Sequence, residues 1–251
     1  MIIACDLDNT LLYSYKHKLP NDICVEFNNG KKQGFMSPNA YALLRDIIKK
    51  GFLLPVTTRS VEQYRRIQWP DGCDPQYALT TNGAILLKNS LIDDDWLIDS
   101  KNEVTPYLEE MTDLQSLLLA QDKYIRCRIV DNMYLFAYCR KGVNIEECRQ
   151  EHLVRTSLTV MASGQKLYFF PPNISKGTAV RKIRCTLAAE KLICAGDSNI
   201  DISMLEQADL ALVPSRYLAE RLEGVNTKIC EERTSFSEFI LQTVLDLETE
   251  K

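Results

Sequence analysis

Near the start of the chain, the apolar run Ile2-Ile3-Ala4-Cys5 ends in Asp6-Leu7-Asp8-Asn9-Thr10. Side chains alternate along an extended chain, so Asp6 and Asp8 point the same way while Leu7 faces the opposite side. Two carboxylates that close repel and raise one pKa unless a cation or a hydrogen-bond network holds them, so the pair calls for a metal or a shared proton. Three later segments place polar residues after apolar runs or at the start of a helix: Thr57-Thr58-Arg59 after Leu53 to Val56, Lys176 after Ser175, and Gly196-Asp197-Ser198-Asn199-Ile200-Asp201 after Leu192 to Ala195. Ligands of open parallel sheets bind outside the carboxyl ends of the strands, where residues distant in sequence converge. Asp6, Asp8, Thr57, Asp197 and Asp201 are therefore expected to share one crevice with Lys176.

The elements that must position these residues follow from the apolar pattern. Strand Ile2 to Cys5 is followed by a strand, turn and strand over residues 23–36, which reads as a hairpin flap. Ser37-Pro38 supplies an N-cap and first-turn proline for a helix to about Lys50, with Gly51 as its stop. A strand over 52–56 and a helix over 61–68 continue the alternation of a parallel sheet with crossover helices. From Asn82-Gly83-Ala84 the pattern changes. Helical spacing over 105–121, a hairpin over 123–140 turning at Asp131-Asn132, a helix over 144–152 and a hairpin over 158–170 make an α+β unit. After Pro171-Pro172 the alternation resumes, with helices over 177–189, 199–207, 216–222 and 235–247 and strands over 191–195, 210–213 and 228–230. The expected fold class is α/β: a Rossmann-like parallel-sheet core, 1–81 and 173–251, with an inserted α+β cap, 82–172.

Composition narrows the chemistry. Lys plus Arg number 30 against 34 Asp plus Glu, for a net charge of −4. No basic run reaches five residues, so nucleic acid is not expected as a partner. No stretch approaches 18 apolar residues and the N-terminus carries no secretory pattern, so a cytoplasmic protein that does not associate with membranes is expected. Nine cysteines without a Cys-x-x-Cys pair, and only two histidines, His17 and His152, leave little for a zinc hydrolase or a histidine-based triad.

Asp6-Leu7-Asp8-Asn9-Thr10, Thr57, Lys176 and Gly196-Asp197 followed by Asp201, in this order and each in its strand or helix context, resemble the haloacid dehalogenase superfamily. The insert between Thr57 and Lys176 resembles the large α/β cap of its Cof and sucrose-phosphatase branch. The resemblance implies a phosphomonoester hydrolase acting through an aspartyl-phosphate on a small phosphorylated metabolite such as a sugar phosphate, as a monomer or small homo-oligomer. It implies Asp6 as nucleophile, Asp8 as general acid and base, and Thr57 and Lys176 as phosphate ligands. Mg²⁺ would be held by Asp6, the Asp8 backbone carbonyl and Asp197, with Asp201 positioning Lys176 or a metal-bound water. The alternatives are a phosphomutase using the same phosphoenzyme and a non-catalytic sugar-phosphate-binding relative. Ile200 departs from the Asn-Asp usual in relatives with this cap, leaving Asn199 or Ser198 to supply the missing contact. Arg59 aligns with an arginine common in this branch, yet as an arginine at a helix start it reads as a surface residue. Arg126, Arg128, Tyr134 and Tyr138 alternate on one hairpin and read as the solvated face of a small sheet or as contacts to an anionic substrate.

Overall fold

A computed structural model describes residues 1–231 and 234–249. Strand β1 (Ile2–Cys5) leads through β2 (Tyr13–Ser14) to the hairpin β3 (Ile23–Asn28) and β4 (Lys31–Met36), then to helix α1 (Pro38–Lys49), strand β5 (Leu53–Pro55) and the one-turn helix α2 (Val61–Tyr64). Strands β6 (Tyr77–Thr80), β7 (Ile85–Lys88) and β8 (Leu91–Ile92) precede helices α3 (Asp94–Val104) and α4 (Leu108–Leu119). Next come β9 (Tyr124–Val130), β10 (Tyr134–Cys139), α5 (Ile145–Leu153), β11 (Thr159–Ser163) and β12 (Lys166–Phe170). The chain ends with α6 (Lys176–Thr186), β13 (Leu192–Ala195), α7 (Ile202–Leu205), β14 (Leu210–Val213), α8 (Arg216–Ala219), β15 (Thr227–Ile229) and α9 (Phe236–Thr249).

The core is a parallel sheet in the order β15-β14-β13-β1-β5. Alternation along β1 sends Ile3 and Cys5 into an apolar cluster with Leu44 and Ile47 of α1 and Ile240 and Val244 of α9. Ile2 and Ala4 enter the opposite cluster, with Val180 and Ile183 of α6 and Met204 of α7. Both faces are covered, so these strands read as continuous apolar runs. From β1 the chain proceeds to β5 on one side and returns at β13 on the other. That switch of direction opens a crevice at the carboxyl ends of β1 and β13. In register, Cys5 lies opposite Ala195, which brings Asp6 and the Gly196-Asp197 turn to the crevice together.

Strands β6, β7 and β8 form an antiparallel sheet joined to β5 through a parallel bridge between Val56 and Leu79. Trp96 of α3 lies in the apolar cluster with Ile2 and Val180, and its indole N–H donates to the Gly83 carbonyl at 3.0 Å. The early part of the 82–172 stretch therefore packs on the parallel sheet. A second antiparallel sheet, ordered β11-β12-β10-β9, carries α4 and α5 on one face. Its β9–β10 turn, residues 131–133 between the paired Val130 and Tyr134, holds Asp131 and Asn132 at φ 48° and 59°, and the Met133 N–H closes it on the Val130 carbonyl at 2.8 Å. The flap is the three-stranded sheet β2-β4-β3.

Two local readings are corrected. The helix expected over 61–68 stops at Tyr64, because the chain then turns to pair with the flap, where the Gln68 N–H donates to the Val25 carbonyl at 2.7 Å. Helix α3 has no counterpart in the apolar pattern. It buries only Trp96, Ser100 and Val104, too sparse a stripe for periodicity to reveal, although Asp93 caps it through the Trp96 N–H.

Candidate active site

Asp6, the residue after β1, extends the ladder by donating its N–H to the Ala195 carbonyl at 2.9 Å. Its buried carboxylate accepts from Lys176 Nζ through Oδ1 and from Thr10 Oγ1 through Oδ2 at 3.3 Å. Thr10 Oγ1 also lies 3.1 Å from Asp197 Oδ1. A turn in which the N–H groups of Thr10, Leu11 and Leu12 all donate to the Leu7 carbonyl returns Thr10 to the carboxylate, and Asn9 sits at φ 63° to close it. Lys176 enters as the first residue of α6, which Ser175 caps through the Thr178 N–H. The ammonium is buried and bridges Asp6 and Asp201, with Asp201 Oδ1 at 2.6 Å.

Asp201 spends both oxygens on this scaffold. Oδ1 receives Lys176, while Oδ2 accepts the N–H groups of Asp197 and Ser198, at 3.2 and 2.9 Å, and the Ser198 hydroxyl at 2.8 Å. Gly196 permits this approach. A Cβ there would stand 2.4 Å from Asp201 Cβ, so no other residue fits the turn. Of the two residues that could offset Ile200, Ser198 is inside the network. Asn199 is exposed and contacts the Tyr217 hydroxyl at 3.4 Å.

Oxygens of Asp6, Asp197 and Asp201 lie within 4.8 Å of one another, against one ammonium. Burial raises the Asp6 pKa to about 8; Lys176 opposes the rise, and Asp201, Asp197 and Asp8 add to it. Burial and Asp201 likewise raise Asp197 to about 6. Burial alone would lower Lys176, but Asp201 and Asp6 outweigh it and hold the ammonium charged. Three clustered carboxylates, two buried and Asp197 half-buried, are short of positive charge with one cation. A hard, all-oxygen donor set of this kind fits Mg²⁺.

The Asp8 carboxylate pairs with a different cation from Asp6: Lys176 lies against Asp6, Arg59 against Asp8. Arg59 grips Asp8 through Nε to Oδ2 at 3.0 Å and Nη2 to Oδ1 at 2.7 Å, and Nη2 also reaches Glu26 at 3.1 Å. Partial burial would raise Asp8, but the charge and paired hydrogen bonds of Arg59 prevail, and its pKa is lowered. Arg59 is thus no surface residue: its side chain is 11 % exposed. Its neighbours at the end of β5 divide. Thr57 is fully buried and its hydroxyl accepts the Arg59 N–H at 3.2 Å, whereas Thr58 lines the cavity.

Two cavities adjoin at Asp8. The smaller, about 50 Å³, is lined by Asp6, Lys176, Asp197 and Ser198. The larger, about 320 Å³, lies between the flap and the open face of the β9–β12 sheet. Asp8, Thr58, Lys166 and Tyr168 line both. Arg126, Arg128 and Tyr134 face the larger cavity, while Tyr138 does not line it. Lys166 and Tyr168 were missed in the sequence. Their signal was the alternation along Lys166-Leu167-Tyr168-Phe169-Phe170, in which Leu167 and Phe169 pack into the helix-covered core.

Residues 93–213 match the sequence model of the haloacid dehalogenase-like hydrolases. The match covers a little under half of the chain. Among solved structures, it is similar to the sucrose-phosphatase of Synechocystis sp. in complex with sucrose and phosphate, with a TM-score of 0.67 and 16 % identity over 99 % of this chain and 98 % of that one. A trehalose-6-phosphate phosphatase related protein aligns with a TM-score of 0.61 and 18 % identity over 100 % and 99 %. A haloacid dehalogenase-like hydrolase from B. subtilis gives 0.59 and 16 % over 96 % and 99 %. At these identities the likeness is one of fold, and it runs over nearly the whole chain. No curated protein sequence matches the chain. No helix among the described residues is long and apolar enough to cross a membrane.

Proposed function

We propose that this hydrolase removes phosphate from a small phosphorylated metabolite through an aspartyl-phosphate on Asp6. The observation that carries the reading is the pair of adjoining cavities. A phosphate-sized space holds Asp6 and Lys176, a metabolite-sized one lies beyond it, and Asp8 stands on the boundary where the scissile bond would cross.

An Asp6 carboxylate oxygen would attack phosphorus, forming the acyl-phosphate as the bond to the leaving oxygen breaks. Asp8 would give that oxygen its proton and afterwards take one from the water that attacks the acyl-phosphate. The ion pair with Arg59 favours the ionised Asp8 needed for the second step. A phosphate dianion bound beside Asp8 opposes that effect and favours the protonated form needed for the first. Lys176 would hold a non-bridging oxygen, as would Thr57, whose hydroxyl hydrogen has no acceptor among the described residues. Asp6, Asp197 and the Asp8 carbonyl would hold Mg²⁺, which supplies charge neutralisation for the approach of one anion to another. Asp201, with both oxygens engaged, would position Lys176 and the 196–198 turn. We assign residues 82–172 to the inserted cap, its early part anchored on the parallel sheet and its β9–β12 sheet covering the substrate.

The test is hydrolysis of p-nitrophenyl phosphate. Activity is expected with Mg²⁺, absent in excess chelator and restored by added Mg²⁺; turnover undiminished in chelator would overturn the metal assignment.

A further inference from the structure

The larger cavity carries more positive charge than one phosphate needs. Of its five basic residues, Arg59 is neutralised by Asp8 and Glu26, and Arg66 is paired with Glu62 at 2.6 Å. Arg126, Arg128 and Lys166 have no carboxylate partner among the described residues. Arg128 is braced for a ligand. Its Nη2 donates to Gln63 Oε1 at 3.2 Å and its guanidinium lies over the Phe136 ring, yet its Nε is buried without any partner. A buried donor left unpaired costs stability unless something not yet present pairs with it.

The register of the sheet places these cations. Lys166 on β12 is opposite Tyr138 on β10, which is opposite Arg126 on β9; one row along, Tyr168, Phe136 and Arg128 are aligned in the same way. Lys166 borders the phosphate-sized cavity, and the two arginines stand two strands further out, a displacement on the order of 10 Å. The facing wall is the flap. There Ser14, Asn28 and Gln33 are uncharged hydrogen-bonding groups, and the one acid, Glu26, is already paired.

We propose that the substrate is a doubly anionic phosphomonoester: a hydroxylated leaving group carrying a second anion, a carboxylate or another phosphate. Arg126 and Arg128 recognise that anion about 10 Å from the phosphate that is cleaved. The proposal rests on the phosphatase reading for the first anion. The second anion is assigned by the surplus charge and the orphaned Nε. The guanidinium fork suits either oxyanion, and the hydroxyls between the two ends would meet the flap amides.

The test compares matched pairs, 6-phosphogluconate with glucose 6-phosphate for the carboxylate and fructose 1,6-bisphosphate with fructose 6-phosphate for the phosphate. In at least one pair, kcat/KM for the doubly anionic member is expected to exceed that of its partner by about tenfold, since charge-assisted pairing exceeds that of a neutral hydroxyl. The favoured pair identifies the anion. Arg126→Ala and Arg128→Ala are each expected to shrink that ratio several-fold, and Arg126→Lys to retain part of it. A ratio near one in both pairs, or a ratio unmoved by either alanine variant, would overturn the proposal. Calorimetric titration of the same pairs in excess chelator reads the preference without turnover. If p-nitrophenyl phosphate is not hydrolysed but the calorimetric preference is present and sensitive to Arg126, the phosphatase reading fails and the second-anion site stands. If it is hydrolysed and neither measurement shows a preference, the reverse holds.

Discussion

Asp6→Asn separates the electrostatic argument from the chemical one. In the metal-free protein Asp6 is buried and its pKa is raised to about 8, against an ordinary value of 3.8. The folded state therefore holds a proton between those values that the unfolded chain has released. A group raised in this way contributes its stability below the unfolded pKa and loses it as pH climbs towards the folded pKa. Each pH unit in that interval is worth about 1.4 kcal/mol, so by pH 7 the loss is on the order of 4 kcal/mol. An asparagine keeps the shape, has no proton to lose and leaves Lys176 with Asp201 as an even pair of charges.

Thermal melts in excess chelator at pH 5, 6, 7 and 8 read this directly. Wild type should lose stability across the series, and Asp6→Asn should be flatter and melt higher at pH 7. A chain of this size shifts by about 2–4 °C for each kcal/mol, so even a quarter of the effect is measurable. Asp197, raised to about 6, leaves a residual slope confined to the lower part of the range. If wild type and Asp6→Asn melt in parallel from pH 6 to 8, Asp6 does not carry the excess charge. The fit of the cluster to a divalent cation then loses its main support.

Three further outcomes follow from the same geometry. Mixed with acetyl phosphate and Mg²⁺, whose leaving group needs no proton, Asp8→Asn is expected to gain and slowly lose one phosphoryl group. Its turnover of an unactivated ester should fall by about 10²–10⁴. Asp6→Asn should show no such adduct by intact-protein mass, and labelling at the wild-type rate would show that Asp6 is not the acceptor. Gly177→Ala is expected to destabilise by about 1–3 kcal/mol in a denaturant melt, because its Cβ would stand 2.1 Å from the Ser203 carbonyl oxygen, backbone that α6 and α7 cannot easily part to relieve; a neutral effect would show that the two helices are not locked as described.

The parts of the site that were legible in the sequence are those fixed by backbone topology. Asp6, Asp197 and Lys176 follow strands or begin a helix of a parallel sheet, and the strand order alone brings such positions to one crevice. Ser37 caps α1, as the Ser37-Pro38 pair at a helix start indicates. What topology does not fix is the direction of a long side chain. Arg59 sits one residue before the Ser60 cap of a single-turn helix, a position that is usually solvated. It is turned inward by two acids 51 and 33 residues earlier in the chain, and Glu26 lies on a flap whose placement depends on the pairing of Gln68 with Val25.

The same limit governs the cap, and there it bears on function. Period-two alternation shows that Arg126 and Arg128 share a face, as do Phe136 with Tyr138 and Lys166 with Tyr168. It does not say whether that face meets solvent or a cavity. The answer lies on the opposite faces, where Leu135, Ala137, Leu167 and Phe169 are buried in the apolar cluster that also holds Met111 and Leu118 of α4 and Cys148 of α5. Those helices occupy one side of the sheet, so the arginines must take the other, the side turned towards Asp8. That row borders the larger cavity opposite the flap, with Arg128 half-buried against Phe136 and Arg126 and Lys166 exposed at the rim. The same four strands thus pack their apolar face under α4 and α5 and turn the charged one to the cavity beside Asp8.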